Sequence, residues 1–260
     1  MPSYEFTLIN YPPSITTEKV RWVMRHYGIK IVEQRMTLSP GFLFTVLRNF
    51  PRFRKSPPYA IDAVNGLYFR EPDDIIDYFD GRPETGQRLL LSPEQQHNDE
   101  VIKIKQAINL AGGHIRPWAY SYITPNKAMF LESISAGAPD SQKRFVRMVY
   151  PLIAYFTRNS LSPDSEKLPV HYQALEQAFD LIDGVLADGR AFLQGDQLSN
   201  LDIYFCVHAA PCVMPAQYAG GGVLPGFEQV PTRMRPLVDA FRQRPTGKFV
   251  LRMYDTLRLI

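Results

Sequence analysis

Three observations predict an α/β module at the N-terminus followed by an all-helical domain. Residues 4–37 pass from the period-two patterning of a strand to the spacing of one helix face and back. An Asn65-Gly66 turn signal joins two short apolar runs, as in a hairpin. From Ser92 onward the patterning is helical only.

Each element has its own signal. Tyr4 to Tyr11 alternates apolar and polar residues, and Pro12-Pro13 stops the strand. Ser14, Thr16 and Thr17 offer hydroxyls at a helix start, Val20, Val23, Met24 and Tyr27 share one face, and Gly28 ends the run. Lys30 to Thr37 alternates again. Pro40 to Phe50 reads as a short amphipathic helix through Phe42, Leu43, Val46 and Leu47, with Pro51 beyond it. Strand, helix, strand implies a parallel pair. Tyr59 to Asp62 and Leu67 to Phe69 form the hairpin, and Glu71-Pro72-Asp73-Asp74 opens a helix. The first eighty or so residues thus read βαβα–ββα, a module of thioredoxin type.

Gly81 to Leu91 reads as a linker. Ser92-Pro93-Glu94-Gln95 is a capping box, and Val101, Ile104, Ile108 and Ala111 follow on one face until Gly112-Gly113, where a break or kink is expected. A helix from Asp140 is expected to turn Phe145, Val149, Leu152 and Phe156 inward and to kink at Pro151. Val170 to Asp188 is helical, with Gly189 as its stop. Ser199-Asn200-Leu201-Asp202 is a second capping box, with Leu198 and Ile203 as a hydrophobic staple. The loop from Pro215 to Pro231 reads as a surface connection or a lid, and a last helix is expected near Thr232 to Arg244.

Composition excludes several functions. The chain has 260 residues, 45% apolar and 21% charged, the balance of a globular protein. A net charge of +3 spread along it gives no concentrated basic face for nucleic acid. No apolar run reaches membrane-spanning length, so no membrane partner is expected. Two cysteines and no visible secretory signal suggest a reduced, cytoplasmic setting. The five histidines have no ligand spacing, so no metal is expected.

Several motifs together resemble the cytosolic glutathione transferase superfamily. Tyr11-Pro12-Pro13-Ser14-Ile15-Thr16-Thr17-Glu18-Lys19-Val20-Arg21 resembles its active-site turn, with Ser14 where zeta-like members carry Ser and omega-like members Cys. Pro58-Tyr59-Ala60-Ile61-Asp62 resembles the segment that opens with the family's cis-proline. Phe192 to Asp202 resembles its helical-domain capping box. The resemblance implies a thioredoxin-like glutathione-binding domain over 1–82, a linker over 83–91 and a helical domain over 92–260. It also implies a homodimer and glutathione as co-substrate, its thiol activated for attack on an electrophilic, partly apolar small molecule.

The resemblance makes Ser14 the candidate catalytic residue, whereas its own sequence context supports a plain helix cap equally well. Lys55, Pro57, Pro58, Glu71 and Pro72 are the candidate glutathione-binding positions, and Tyr11, His114, Trp118, Tyr120 and Tyr122 the candidate substrate pocket. Two positions depart from the family pattern. Pro57 has no N–H to pair with the cysteinyl part of glutathione. Pro72 replaces the Ser whose hydroxyl and N–H hold the γ-glutamyl carboxylate. Arg54, Lys55 and Arg70 are the nearby cations that would compensate. The alternative function is therefore a non-catalytic binding or interaction module of the same fold. Dithiol chemistry is set aside, because no cysteine lies near the first turn.

Overall fold

A computed structural model describes residues 4–53, 56–83, 85–161 and 166–258. Four strands, β1 (Glu5–Asn10), β2 (Lys30–Arg35), β3 (Tyr59–Asp62) and β4 (Leu67–Phe69), form one mixed sheet in the order β2-β1-β3-β4. β1 runs parallel to β2 and antiparallel to β3, and β3 and β4 form the hairpin. Its turn uses Gly66 at φ 68°, with the Asp62 carboxylate accepting from the backbone of Val64 and Asn65. Three helices belong to this part: α1 (Ile15–His26), α2 (Pro40–Phe53) and α3 (Pro72–Phe79).

Helices follow: α4 (Asp99–Ile123), α5 (Lys127–Ser135), α6 (Asp140–Met148), α7 (Tyr150–Leu161), α8 (Leu168–Val185), α9 (Asn200–Val213), α10 (Arg235–Gln243) and α11 (Pro245–Thr256). The fold is thus a thioredoxin-like α/β part followed by a helical part. α4 packs along α8 and α9, while α1 packs on α9 and α3. One apolar core runs from Phe6 and Leu8 of β1 through Val20 and Val23 of α1 to Ile104, Phe179 and Phe205 of the helices. The Asp202 carboxylate closes the second capping box, accepting from the Ser199 N–H at 2.9 Å and from its hydroxyl at 2.6 Å. It also accepts from the Leu193 N–H at 2.7 Å, so one buried side chain holds both the helix start and the preceding turn.

The structure departs from the sequence expectations at several places. α2 does not stop before Pro51 but continues to Phe53. The hydrogen bond that Pro51 removes belongs to the last turn, on a helix whose outer side is wet. Gly112-Gly113 does not break α4. Gly112 lets His208 approach, since a Cβ there would lie 2.8 Å from its ring. The Ser92 box is formed, but it caps a 3-10 turn at Gln95–His97, and Asn98 caps α4. The helix expected from Asp140 is two helices broken at Val149, and the change of phase leaves Leu152 and Phe156 exposed. A further helix, α11, follows the one expected to be last.

Candidate functional site

Strand register brings three separated segments to one end of the sheet. Ile9 pairs with Tyr59, and Ala60 with Phe69. The chain leaving β1 enters the Tyr11–Ser14 turn, the chain entering β3 comes from Pro57-Pro58, and the chain leaving β4 enters Arg70-Glu71-Pro72. The Pro57–Pro58 peptide is cis. Arg70 ties the last two segments together. Its Nε donates to the Ser56 carbonyl at 3.0 Å, and its guanidinium pairs with the Glu71 carboxylate.

Ser14 is the N-cap of α1. Its Oγ accepts from the Thr17 N–H at 3.2 Å, and its own N–H donates to the Tyr11 carbonyl at 3.0 Å. One turn further on, the Glu18 carboxylate is fully buried. Arg21 meets it at 2.5 Å and Arg258 at 2.8 Å, and neither arginine is exposed by more than 2%. Arg21 also pairs with Glu33 of β2, as does Arg35. Burial alone would raise the Glu33 pKa, but the hydrogen bonds and charge of Arg21 and Arg35 hold it down to about 2.

Glu71 and Pro72 stand at the N-terminus of α3. Glu71 is the N-cap but makes no side-chain capping bond, and Pro72 is the first helical residue. Although it opens a helix, Pro72 is buried. Asp73 in the next position accepts from the Tyr204 hydroxyl of α9, and the Lys19 ammonium lies 4.4 Å above the Tyr204 ring. Burial lowers the Lys19 pKa to about 8, against the pull of Asp73. Lys55 and Arg54 lie outside the described residues.

Between the first turn and the helices is a cleft of about 50 Å³, where Pro13 and Ile15 face Ile115, Ala119 and Tyr120 of α4 and Val223 of the following loop. Pockets for small organic ligands are several-fold larger, roughly 300 Å³ and above. The five candidate pocket residues divide. Tyr120 lines the cleft, and Tyr11 lies beside it: burial raises its pKa, Tyr120 adds to this and Arg116 offsets it. His114, Trp118 and Tyr122 follow each other at four-residue spacing on another face of α4. His114 meets His171 of α8 at 2.8 Å. Trp118 is wholly buried against Phe241, and Tyr122 borders a separate open groove with Asn126 and Thr232.

No family model matches the chain, and no curated protein matches it significantly. Solved structures do. A glutathione transferase from Phanerochaete chrysosporium superimposes with a TM-score of 0.61 at 13% identity, over 100% of this chain and 99% of that one. A second from the same organism gives 0.58 at 14%, over 100% and 99%. A glutathione S-transferase of Ceriporiopsis subvermispora, solved in complex with glutathione, gives 0.56 at 13%, over 99% of each chain. The chain has the glutathione transferase fold. At these identities the likeness is one of fold.

Within this glutathione transferase fold, several cleft residues escaped the sequence reading. Ile115, Ala119 and Ile123 recur every four residues and were legible as a stripe of α4, but nothing local distinguishes a stripe facing a cleft from one facing a core. Val223 and Leu224 come from the glycine-rich loop, whose period-free sequence carries no facing information.

Proposed function

We infer that the protein is a glutathione transferase-like enzyme, acting from the sheet end where Ser14, Pro58 and Glu71 meet. The observation that carries this reading is Ser14 as the N-cap of α1, at the same sheet end as the Pro57-Pro58 segment that enters β3. A helix N-terminus and a hydroxyl together favour a thiolate over a thiol. The thiol proton is lost to solvent. The sulfur then forms a bond to the electrophilic carbon, and a leaving group departs with its electron pair. The protein supplies a lowered thiol pKa and orientation. A reduced, cytoplasmic setting suits this chemistry, and Cys206 and Cys212 are both buried free thiols. A homodimer belongs to the same reading; a monomer in sedimentation at micromolar concentration would remove it. The test of the activity is turnover of glutathione with a generic electrophile such as chlorodinitrobenzene. Turnover that falls in Ser14→Ala supports the reading, and turnover unchanged in that variant removes Ser14 from it.

A second reading, a binding module of the same fold, is favoured by specific observations at the same site. Pro57 and Pro72 lack N–H groups, Glu71 is engaged by Arg70, and the cleft is small. Thermal unfolding with and without millimolar glutathione separates the two. A ligand at a hundred times its Kd stabilises by about 2.7 kcal/mol, so no shift together with no turnover favours the module.

A further inference from the structure

Two stretches of the chain lack acidic residues altogether: positions 34 to 61 and positions 141 to 163. The same stretches hold most of the large apolar side chains left in water. On α2 these are Leu43, Phe44, Leu47 and Phe50, with Phe44 66% and Leu47 62% exposed. At the end of α6 and along α7 they are Met148, Leu152, Tyr155 and Phe156, with Met148 72% exposed. The spacing explains the exposure. Leu43, Leu47 and Phe50 fall at i, i+4 and i+7 on the outer side of α2, while Phe42 and Val46 turn inward. The two stretches abut, since the Thr37 N–H donates to Gln142 Oε1 at 2.9 Å.

Basic residues flank both apolar stripes. Arg48 and Arg52 stand on α2, with Arg52 stacked on the Tyr68 ring at 3.8 Å. Arg144, Arg147 and Arg158 are exposed on α6 and α7. An outward apolar stripe with aromatic residues, basic edges and a single carboxylate, Asp140 at the start of α6 beside Lys143, is the composition of a helix that lies in a lipid interface. A protein partner with a matching apolar face needs no such one-sided charge, whereas an anionic headgroup layer does. We propose that the α2 and α6–α7 faces dock the protein on an anionic lipid surface. That no helix among the described residues is long and apolar enough to cross a membrane is no obstacle, because interfacial binding buries only the outer side of a helix. The proposal stands independently of the catalytic reading.

The test is flotation of the whole protein with vesicles of phosphatidylcholine alone and of phosphatidylcholine with phosphatidylserine, at low and high salt. Binding is expected only to the phosphatidylserine vesicles, weakening with salt. Two double variants should each bind at least about tenfold more weakly, Phe44→Ser with Leu47→Ser and Arg48→Glu with Arg147→Glu. All four side chains are exposed, so the unfolding temperature should stay unchanged and report that the fold is intact. Ser14→Ala should bind vesicles as the unaltered protein does. Three results overturn the proposal: no binding to either vesicle, equal binding to both, or a dimer in sedimentation that dissociates in Phe44→Ser with Leu47→Ser. The last would mean that a second copy covers the stripes.

Discussion

The N-termini of α1 and α3 lie at the same end of the sheet, and they differ in how much they leave for a ligand. α1 begins with a side chain that is small and polar, and its first-turn carboxylate, Glu18, is turned into the protein and neutralised by two arginines. α3 begins with Pro72, which removes one N–H, and carries Asp73 and Asp74 in its first turn. Those carboxylates already interact with the helix dipole and oppose an incoming anion. One helix start is therefore arranged to receive negative charge and the other is arranged against it. A ligand that places an anion at α1 and something neutral or cationic at α3 fits the pair better than one with an anion at both ends.

The largest effect is expected from the ions beneath α1. Arg258→Met removes one of the two cations that hold the buried Glu18 carboxylate. Breaking a buried ion pair from one side costs about 3–5 kcal/mol. Denaturant unfolding should show a loss of that order, and a loss under 1 kcal/mol would mean that Arg21 alone is sufficient for Glu18. Acid should weaken the same end of the molecule. The folded protein keeps Glu33 ionised down to about pH 2, whereas the unfolded chain protonates it near its ordinary value of 4.5. Its contribution is complete above pH 4.5 and is lost as pH falls from there to about 2, by roughly 3 kcal/mol. Stability measured across that range should fall less steeply in Glu33→Gln.

Two smaller effects sharpen the contrast between the helix starts. Ser14→Ala should lower transferase turnover at neutral pH by roughly tenfold to a hundredfold and reduce stability by about 1 kcal/mol through the lost cap. A fall in stability without a fall in turnover would make Ser14 a cap and nothing more. Pro72→Ser restores an N–H and a hydroxyl to α3. If glutathione places its γ-glutamyl carboxylate there, calorimetric titration should show roughly tenfold tighter binding, the worth of one charge-assisted hydrogen bond. Because Pro72 is buried, the new hydroxyl also costs about 1 kcal/mol of stability unless it finds an acceptor. Weaker or unchanged binding would mean that the carboxylate end of the ligand lies elsewhere.

The fold was legible where local rules act alone. Ser14 as a cap, Gly28 as a stop, the Asn65-Gly66 turn and the Ser199–Asp202 box depend on residues within a few positions of each other, and all four are seen. The cis bond at Pro58 entered through the family resemblance and is also seen. What could not be read depends on partners far along the chain. Gly112 looked like a helix breaker because the sequence near it does not contain His208. Leu152 and Phe156 looked like core residues because a one-residue break at Val149 turns the stripe by an amount that periodicity does not report. The sorting of Tyr120 from Trp118 on α4 depends on which neighbour each face meets, and the apolar pattern treats both alike.

The Arg258–Glu18 contact spans 240 positions, nearly the whole chain. Synthesis delivers Glu18 well before Arg258. A carboxylate held by too little positive charge stays out of a dry interior, so the surroundings of α1 are completed only when Arg258 has arrived. The helix start that bears Ser14 therefore depends for its final surroundings on a residue made 240 positions after Glu18.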